Sequence, residues 1–307
     1  MAGDAVPAVD AIVNAMSVDV EDYFQVSAFD RVVDRASWDR FESRVCANTE
    51  RLLALFEESG VRATFFVLGW IAERHPALLR RIAEHRHEIA SHGYAHRLVY
   101  DLTPEEFRED IRRSKALLED IGGAAVHGYR APSYSITERS LWALDVLIEE
   151  GYSYDSSIFP IHHDRYGIPG APRHVHVVER GAGSIIEAPG STVQCAGLNL
   201  PIAGGGYFRL LPYWWTHWGI ARLNRRERQP AIFYLHPWEI DPDQPRIAAP
   251  RIARLRHYAN LGKTESRLRQ IVSDFRFSTV GSVVQGARPL TAGSSVLSPA
   301  CTALPSR

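Results

Sequence analysis

The sequence predicts an α/β fold on a parallel sheet, with a number of elements that suits a barrel. Two observations carry this. Short β-branched runs alternate with longer segments of helical period, and the ends of those runs repeatedly hold ionisable residues, which is where functional groups sit in such barrels.

The elements follow in order. AIVNAMSVDV (11–20) reads as a strand, and NTERLLALFEESG (48–60) as an amphipathic helix stopped by Gly60. A strand over RATFFVLGW (62–70), a helix over PALLRRIAEH (76–85) and a strand over HEIAS (87–91) come next. In 103–123, Thr103 is the N-cap, Pro104 takes the first helical position, Glu106 completes a capping box, and glycines close the helix. The segments 126–132 and 151–157 flank a helix over 138–151; later strands fall at 184–189 and 231–235, and a late helix at 265–275. Between about 160 and 230 Pro, Gly and aromatic residues crowd together, which predicts a loop-rich insertion within one domain over 1–285. The Gly/Pro/Ser/Ala-rich tail 286–307 has no amphipathic period and is predicted to be disordered.

A chain of 307 residues can bury a large core, and 45% hydrophobic with 23% charged residues is a globular composition. A net charge of -1 lacks the basic footprint of a nucleic-acid binder. Cys46, Cys195 and Cys301 are too few and too scattered for a disulfide framework or a metal knuckle and read as free thiols. The first basic residue is Arg31 and no apolar run reaches membrane-spanning length, so a cytoplasmic protein is expected, with peripheral association to a membrane complex left open.

Five strand ends carry candidate chemistry. The first holds Asp19, Glu21 and Asp22, three carboxylates within four residues that repel one another and call for a cation. The third holds His92 and His96, set either one helical turn apart behind Ser91 as N-cap or in a tight loop opened by Gly93. Two imidazoles with one carboxylate suit Zn²⁺ and related divalent ions and leave coordination positions open. Arg130 precedes Pro132 in a non-helical loop and could hold Asp19 ionised. Asp155, then His236 with Glu239, end the remaining runs. His162, His163 and Asp164 form a competing cluster in a loop and read as surface polar residues. Trp238, two residues after His236, could offer a face to a sugar ring.

Six motifs in this order, MSVDVEDYFQVSAFD, ATFFVLGW, HEIASHGYAH, GYRAPSYSIT, YDSSIFP and FYLHPWEID, resemble the polysaccharide deacetylases of the NodB-homology type, family-four carbohydrate esterases. They are most similar to the subgroup associated with exopolysaccharide and exosortase loci. The resemblance spans about residues 11–240 and implies an irregular (β/α)7 TIM-like barrel. It further implies a metal-dependent hydrolysis of N-acetyl groups from N-acetylhexosamine units of a polysaccharide or oligosaccharide. By this resemblance Asp19 is the general base, Arg130 its partner, His236 the general acid and Asp155 the residue that tunes His236. His92, His96 and either Glu21 or Asp22 hold a divalent metal, Zn being expected ahead of Co, Mn or Ni. Tyr134, Tyr234 and Trp238 are the expected substrate contacts. Strand alternation favours Glu21 as the third ligand, and the family's usual aspartate favours Asp22. The chain departs from the family pattern at Ile158 and Phe159, where a Trp is common, and at Tyr234, where a Leu usually lines the acetyl pocket. Alternative readings are a metal-independent or small-amide hydrolase on the same barrel, and a non-catalytic glycan-binding component of polysaccharide assembly.

Overall fold

A computed structural model describes residues 12–286 and the pair 290–291. Twelve strands are present among them: β1 (Asn14–Val20), β2 (Thr64–Val67), β3 (Glu88–Ser91), β4 (Gly128–Tyr129), β5 (Tyr154–Asp155), β6 (His176–Arg180), β7 (Gly183–Glu187), β8 (Thr192–Cys195), β9 (Leu198–Pro201), β10 (Ile232–Leu235), β11 (Phe277–Ser278) and β12 (Leu290–Thr291). Seven of them form one run of parallel pairings in the order β10-β1-β2-β3-β4-β5-β7. β6 returns antiparallel on β7, β12 adds to β6, β11 lies beside β1, and β8–β9 is a separate hairpin. The parallel order places the C-terminal ends of β1, β3, β4, β5 and β10 on one rim.

The expected barrel is not closed by strand pairing among the described residues. β7 and β10 end the parallel run, and across this seam the Ile232 amide donates to Ser191 Oγ at 2.7 Å.

Local rules explain most elements. The helix Val45–Ser59 ends on Gly60 at φ 65°, and Pro104–Gly122 begins with the reciprocal Thr103/Glu106 capping box and ends on Gly123 at φ 70°. β1 is buried along its whole length, as a parallel strand covered on both faces must be. The strand expected over 62–70 stops at Val67, and Gly69–Arg74 is helical instead. The amides of Gly69 and Trp70 turn to donate to the carbonyls of Gly93 and Tyr94, both at 2.9 Å, and a Cβ on Gly69 would stand 2.6 Å from the Tyr94 ring. This helix start thereby braces the loop after β3.

The 160–230 region is more regular than a loop-rich insertion. It contains β6 to β9 and the helices Gly205–Leu210 and Tyr213–Arg222. Its glycines have a packing reason: Gly204 has φ 95°, and a Cβ there would stand 2.3 Å from both the ring and the carbonyl oxygen of Tyr234. Cys46 and Cys195 are free. Gly286, the first residue of the tail expected to be disordered, ends the helix Val280–Gly286; apart from it and the β12 pair, the tail and Cys301 lie outside the described residues.

Gly204→Ala is therefore expected to destabilise the fold by about 1–3 kcal/mol through overpacking alone, with a further loss from the left-handed backbone. Gly197→Ala, at φ 80° in open space, should lose only the backbone contribution. Paired thermal melts measure the difference.

Candidate metal and acid–base site

The site begins with the three carboxylates that leave the end of β1, all buried: Asp19 is 3%, Glu21 2% and Asp22 0% exposed. Asp19 Oδ1 accepts from Arg130 Nη1 at 2.7 Å. That guanidinium is itself fixed, donating to Ser17 Oγ, to the Ser156 carbonyl and to Ser156 Oγ, and lying 4.1 Å over the Phe66 ring. The anion is thus held by a cation that has no freedom to move away.

Glu21 points to a different set of partners. It forms, with His92 and His96, a group whose donor atoms all lie within 4.8 Å of one another. Glu21 Oε2 and His96 Nε2 are 2.8 Å apart, yet Oε2 has no hydrogen bond of acceptable geometry. Two lone-pair donors brought this close without bonding each other fit a cation between them. His92 Nδ1 is bonded to the Arg130 carbonyl at 2.8 Å, which makes Nδ1 the protonated nitrogen and leaves Nε2 as the free donor. The histidines come from a loop and not a helix: Gly93 has φ 72° and His96 φ 50°. The amide of Tyr94 donates to Asp110 and the Arg35 guanidinium binds the Ala95 and His96 carbonyls, which hold that loop.

Asp22 turns away from this cluster. Its carboxylate accepts from the amides of Tyr23, Arg44 and Val45 and from Ser43 Oγ, at 2.8–3.2 Å. Arg44 and Val45 are the start of Val45–Ser59, so Asp22 caps that helix from another part of the chain. Of the two alternatives left by the sequence, the geometry assembles Glu21 with the histidines.

Close to both Asp19 and Glu21 stands His236, the residue after β10. Its Nε2 lies 3.8 Å from Asp19 Oδ2 and 3.5 Å from Glu21 Oε1. Its Nδ1 lies 3.2 Å from Glu239 Oε2, which also accepts the His236 amide at 3.0 Å. Glu239 Oε1 takes Arg209 Nε at 2.6 Å, and Arg209 Nη1 reaches the carbonyls of Arg256, His257 and Ala259. Trp238 stacks on His236 at 5.1 Å and on His257 at 4.2 Å, while its indole N–H reaches Glu21 Oε1 at 3.3 Å.

The electrostatics follow from these partners. Burial pushes Glu21 up, but the neighbouring His96 and His236 outweigh it and bring it to about 2. Burial pushes His236 down, but the carboxylates of Glu21, Glu239 and Asp19 outweigh it and raise it to about 9. Desolvation lowers His92 to about 4, which keeps it neutral and able to donate a lone pair.

Residues 35–150 match the family model for polysaccharide deacetylase, and residues 156–285 match a domain of unknown function (DUF3473). Residues 35–150 thus carry a polysaccharide deacetylase domain match. Among its relatives are a Bacillus cereus peptidoglycan-N-acetylglucosamine deacetylase, 30% identical over 120 residues, and a Helicobacter pylori peptidoglycan deacetylase, 32% identical over 114. Those matches span 35% and 37% of this chain but only 44% and 37% of the relatives. A solved Mycobacterium smegmatis structure assigned to the polysaccharide deacetylases aligns with a TM-score of 0.62 at 20% identity, covering 95% of this chain and 97% of that one, which shows a shared fold.

In the structure, Asp155 is not brought to His236. It accepts from Ser157 Oγ and lies beside Glu187, its register partner on β7, and His236 turns its Nδ1 to Glu239 instead. Tyr134, Tyr234 and Trp238 are 5%, 6% and 5% exposed. Tyr134 and Tyr234 pack on each other and on the Arg130 side of the site, and stacking on two histidines leaves Trp238 no open face for a sugar. His163 pairs with Asp164 and stacks on Tyr166, and no metal-holding group forms there among the described residues. Glu239 was visible in the sequence as a strand-end acid. Arg209 was missed, its one signal being a lone cation in the apolar run YFRLL.

Two outcomes are expected. Glu21→Gln should lose bound divalent metal, whereas Asp22→Asn should keep the metal and lose about 1–3 kcal/mol of stability by weakening a buried cap; metal analysis and thermal melts on the same preparations separate them. The Asp155/Glu187 pair has its own pH signature. Burial raises both carboxyls, Asp155 from 3.8 to about 6 and Glu187 well above 4.5, the second also by the charge of the first. A folded-state value above the unfolded one adds stability that is complete below the unfolded value and lost as pH rises through the folded one. Stability should therefore fall as pH rises from about 4 through about 6 and beyond, by an amount that Glu187→Gln reduces, read from chemical denaturation at each pH.

Proposed function

We propose that the chain is a metal-dependent N-deacetylase that removes acetyl groups from N-acetylhexosamine units of a polysaccharide, in exopolysaccharide synthesis on the cytoplasmic side of the membrane. One observation carries the reading: a Glu21/His92/His96 group fit for a divalent cation lies beside a clamped carboxylate, Asp19, and a half-buried histidine, His236. The same reading takes the seven parallel strands as an open version of the family's (β/α)7 barrel. The deacetylases of Bacillus cereus and Helicobacter pylori support the class of substrate.

Glu21, His92 and His96 would hold the ion, which would supply Lewis acidity to an amide carbonyl and to water. Asp19 presents Oδ2 to the gap while Arg130 keeps Oδ1, which suits a base that takes a proton from the attacking water. The water oxygen adds to the acetyl carbon. His236 Nε2 gives its proton to the departing amide nitrogen as the C–N bond breaks. The products are acetate and a free amine. Glu239 holds the opposite ring nitrogen, fixing which face of the imidazole meets the leaving group.

Acetate release from N-acetylglucosamine oligosaccharides should stop on chelation and return with added Zn²⁺. Asp19→Asn and His236→Ala should each lower kcat by about 10²–10⁴-fold. Full activity in metal-stripped protein and in His92→Ala would overturn the metal mechanism. Glu239→Ala should cost about 10²-fold in kcat on the amide through misplacement of His236. It should leave cleavage of a nitrophenyl acetate ester nearly unchanged, because that leaving group departs without a proton.

A further inference from the structure

The helix Arg251–Tyr258, RIARLRHY, has two faces of opposite character. Its inner face carries His257, 3% exposed, which packs between Phe29 and the Trp238 ring. The carbonyls of Arg256, His257 and Ala259 are fastened to Arg209 Nη1, and Arg209 is the partner of Glu239. The helix is therefore tied through two contacts to His236. Its outer face carries Ile252 and Leu255, three residues apart and 68% and 70% exposed, more than any other large apolar side chain among the described residues. Arg251, Arg254 and Arg256 flank them, all exposed and without an ion pair among the described residues.

The charge is asymmetric beyond the helix. From 244 to 264 the chain has Arg246, Arg251, Arg254, Arg256 and Lys263 and no acidic residue, although the whole protein is nearly neutral. Two protruding aliphatic side chains within a ring of unpaired arginines have the composition of a helix that lies in a lipid interface, with apolar groups below the headgroups and cations among them. A second copy of this chain is a poor occupant, because the face would meet its own positive charge.

We infer that the outer face of Arg251–Tyr258 docks on an anionic lipid bilayer and turns the rim that bears His236 toward that surface. A glycan held at the membrane would then meet the site without leaving the interface. That last consequence rests on the deacetylase reading; the docking does not.

The test is sedimentation of the full chain with vesicles of phosphatidylcholine alone and of phosphatidylcholine mixed with phosphatidylglycerol. Binding is expected only to the mixed vesicles, weakening with salt, and falling about fivefold for each of Arg251→Gln, Arg254→Gln and Arg256→Gln. Ile252→Asp/Leu255→Asp should abolish it while deacetylation of a soluble oligosaccharide and the thermal melt stay at the wild-type level, since both side chains lie outside the core. Equal binding to both vesicle types, or none, overturns the proposal. So does binding that survives the double aspartate change, or binding to a soluble anionic polysaccharide that only the arginine changes reduce. A chain that docks as expected but releases no acetate from any glycan leaves the docking standing and removes the deacetylase reading.

Discussion

Three carboxylates enter the protein interior from the end of one strand, and a buried anion is tolerated only when something of opposite charge meets it. Each of the three is met differently. Arg130, delivered by the turn after β4, neutralises Asp19. The amino end of Val45–Ser59 and its flanking amides neutralise Asp22. Glu21 is left to the histidines and to whatever cation they can share. Much of the surrounding structure can be read as the means of delivering these partners: a buried guanidinium fixed by two serines, a helix aimed at a carboxylate, and a loop in left-handed backbone that turns two imidazoles inward.

The residues around the gap come from both of the segments that match family models and from the stretch before them, which holds Asp19 and Glu21. His92, His96 and Arg130 lie in the polysaccharide deacetylase match, whereas His236, Glu239 and Arg209 lie in the segment of unknown function. β7 and β10 of that second segment continue the same parallel sheet. His236, with the Arg209–Glu239 ion pair beside it, thus belongs to the later segment. His236 has Glu239 at its Nδ1 and Trp238 stacked on its ring, where the sequence resemblance implied Asp155. Asp155, freed from His236, shares its buried environment with Glu187.

What the sequence made legible was local. Caps, glycine stops and β-branched runs located the helices Val45–Ser59 and Pro104–Gly122 and the central strands, because those signals act within a few residues. Strand ends exposed Asp19, His92, His96, Arg130 and His236 as a set. The choice between Glu21 and Asp22 was not decidable from spacing, since it depends on a helix 23 residues further along presenting its amides to Asp22. Likewise, Arg209 reaches Glu239 across 30 residues, and no periodicity encodes a contact of that kind. The strand at 62–70 was overextended for a related reason: Gly69 and Trp70 spend their amides on the loop of the two histidines, a tertiary demand that overrides local preference.

The seam between β7 and β10 gives the 188–231 segment a meaning that its composition hides. Both edges of the parallel run flank this segment, and Ser191 within it bonds the backbone of β10. Gly204, farther along, lets the chain pass against Tyr234 on the same strand. The segment is a stave in the wall and not an ornament hung on it. Shortening it would draw β10 out of line, and with β10 the histidine at its end.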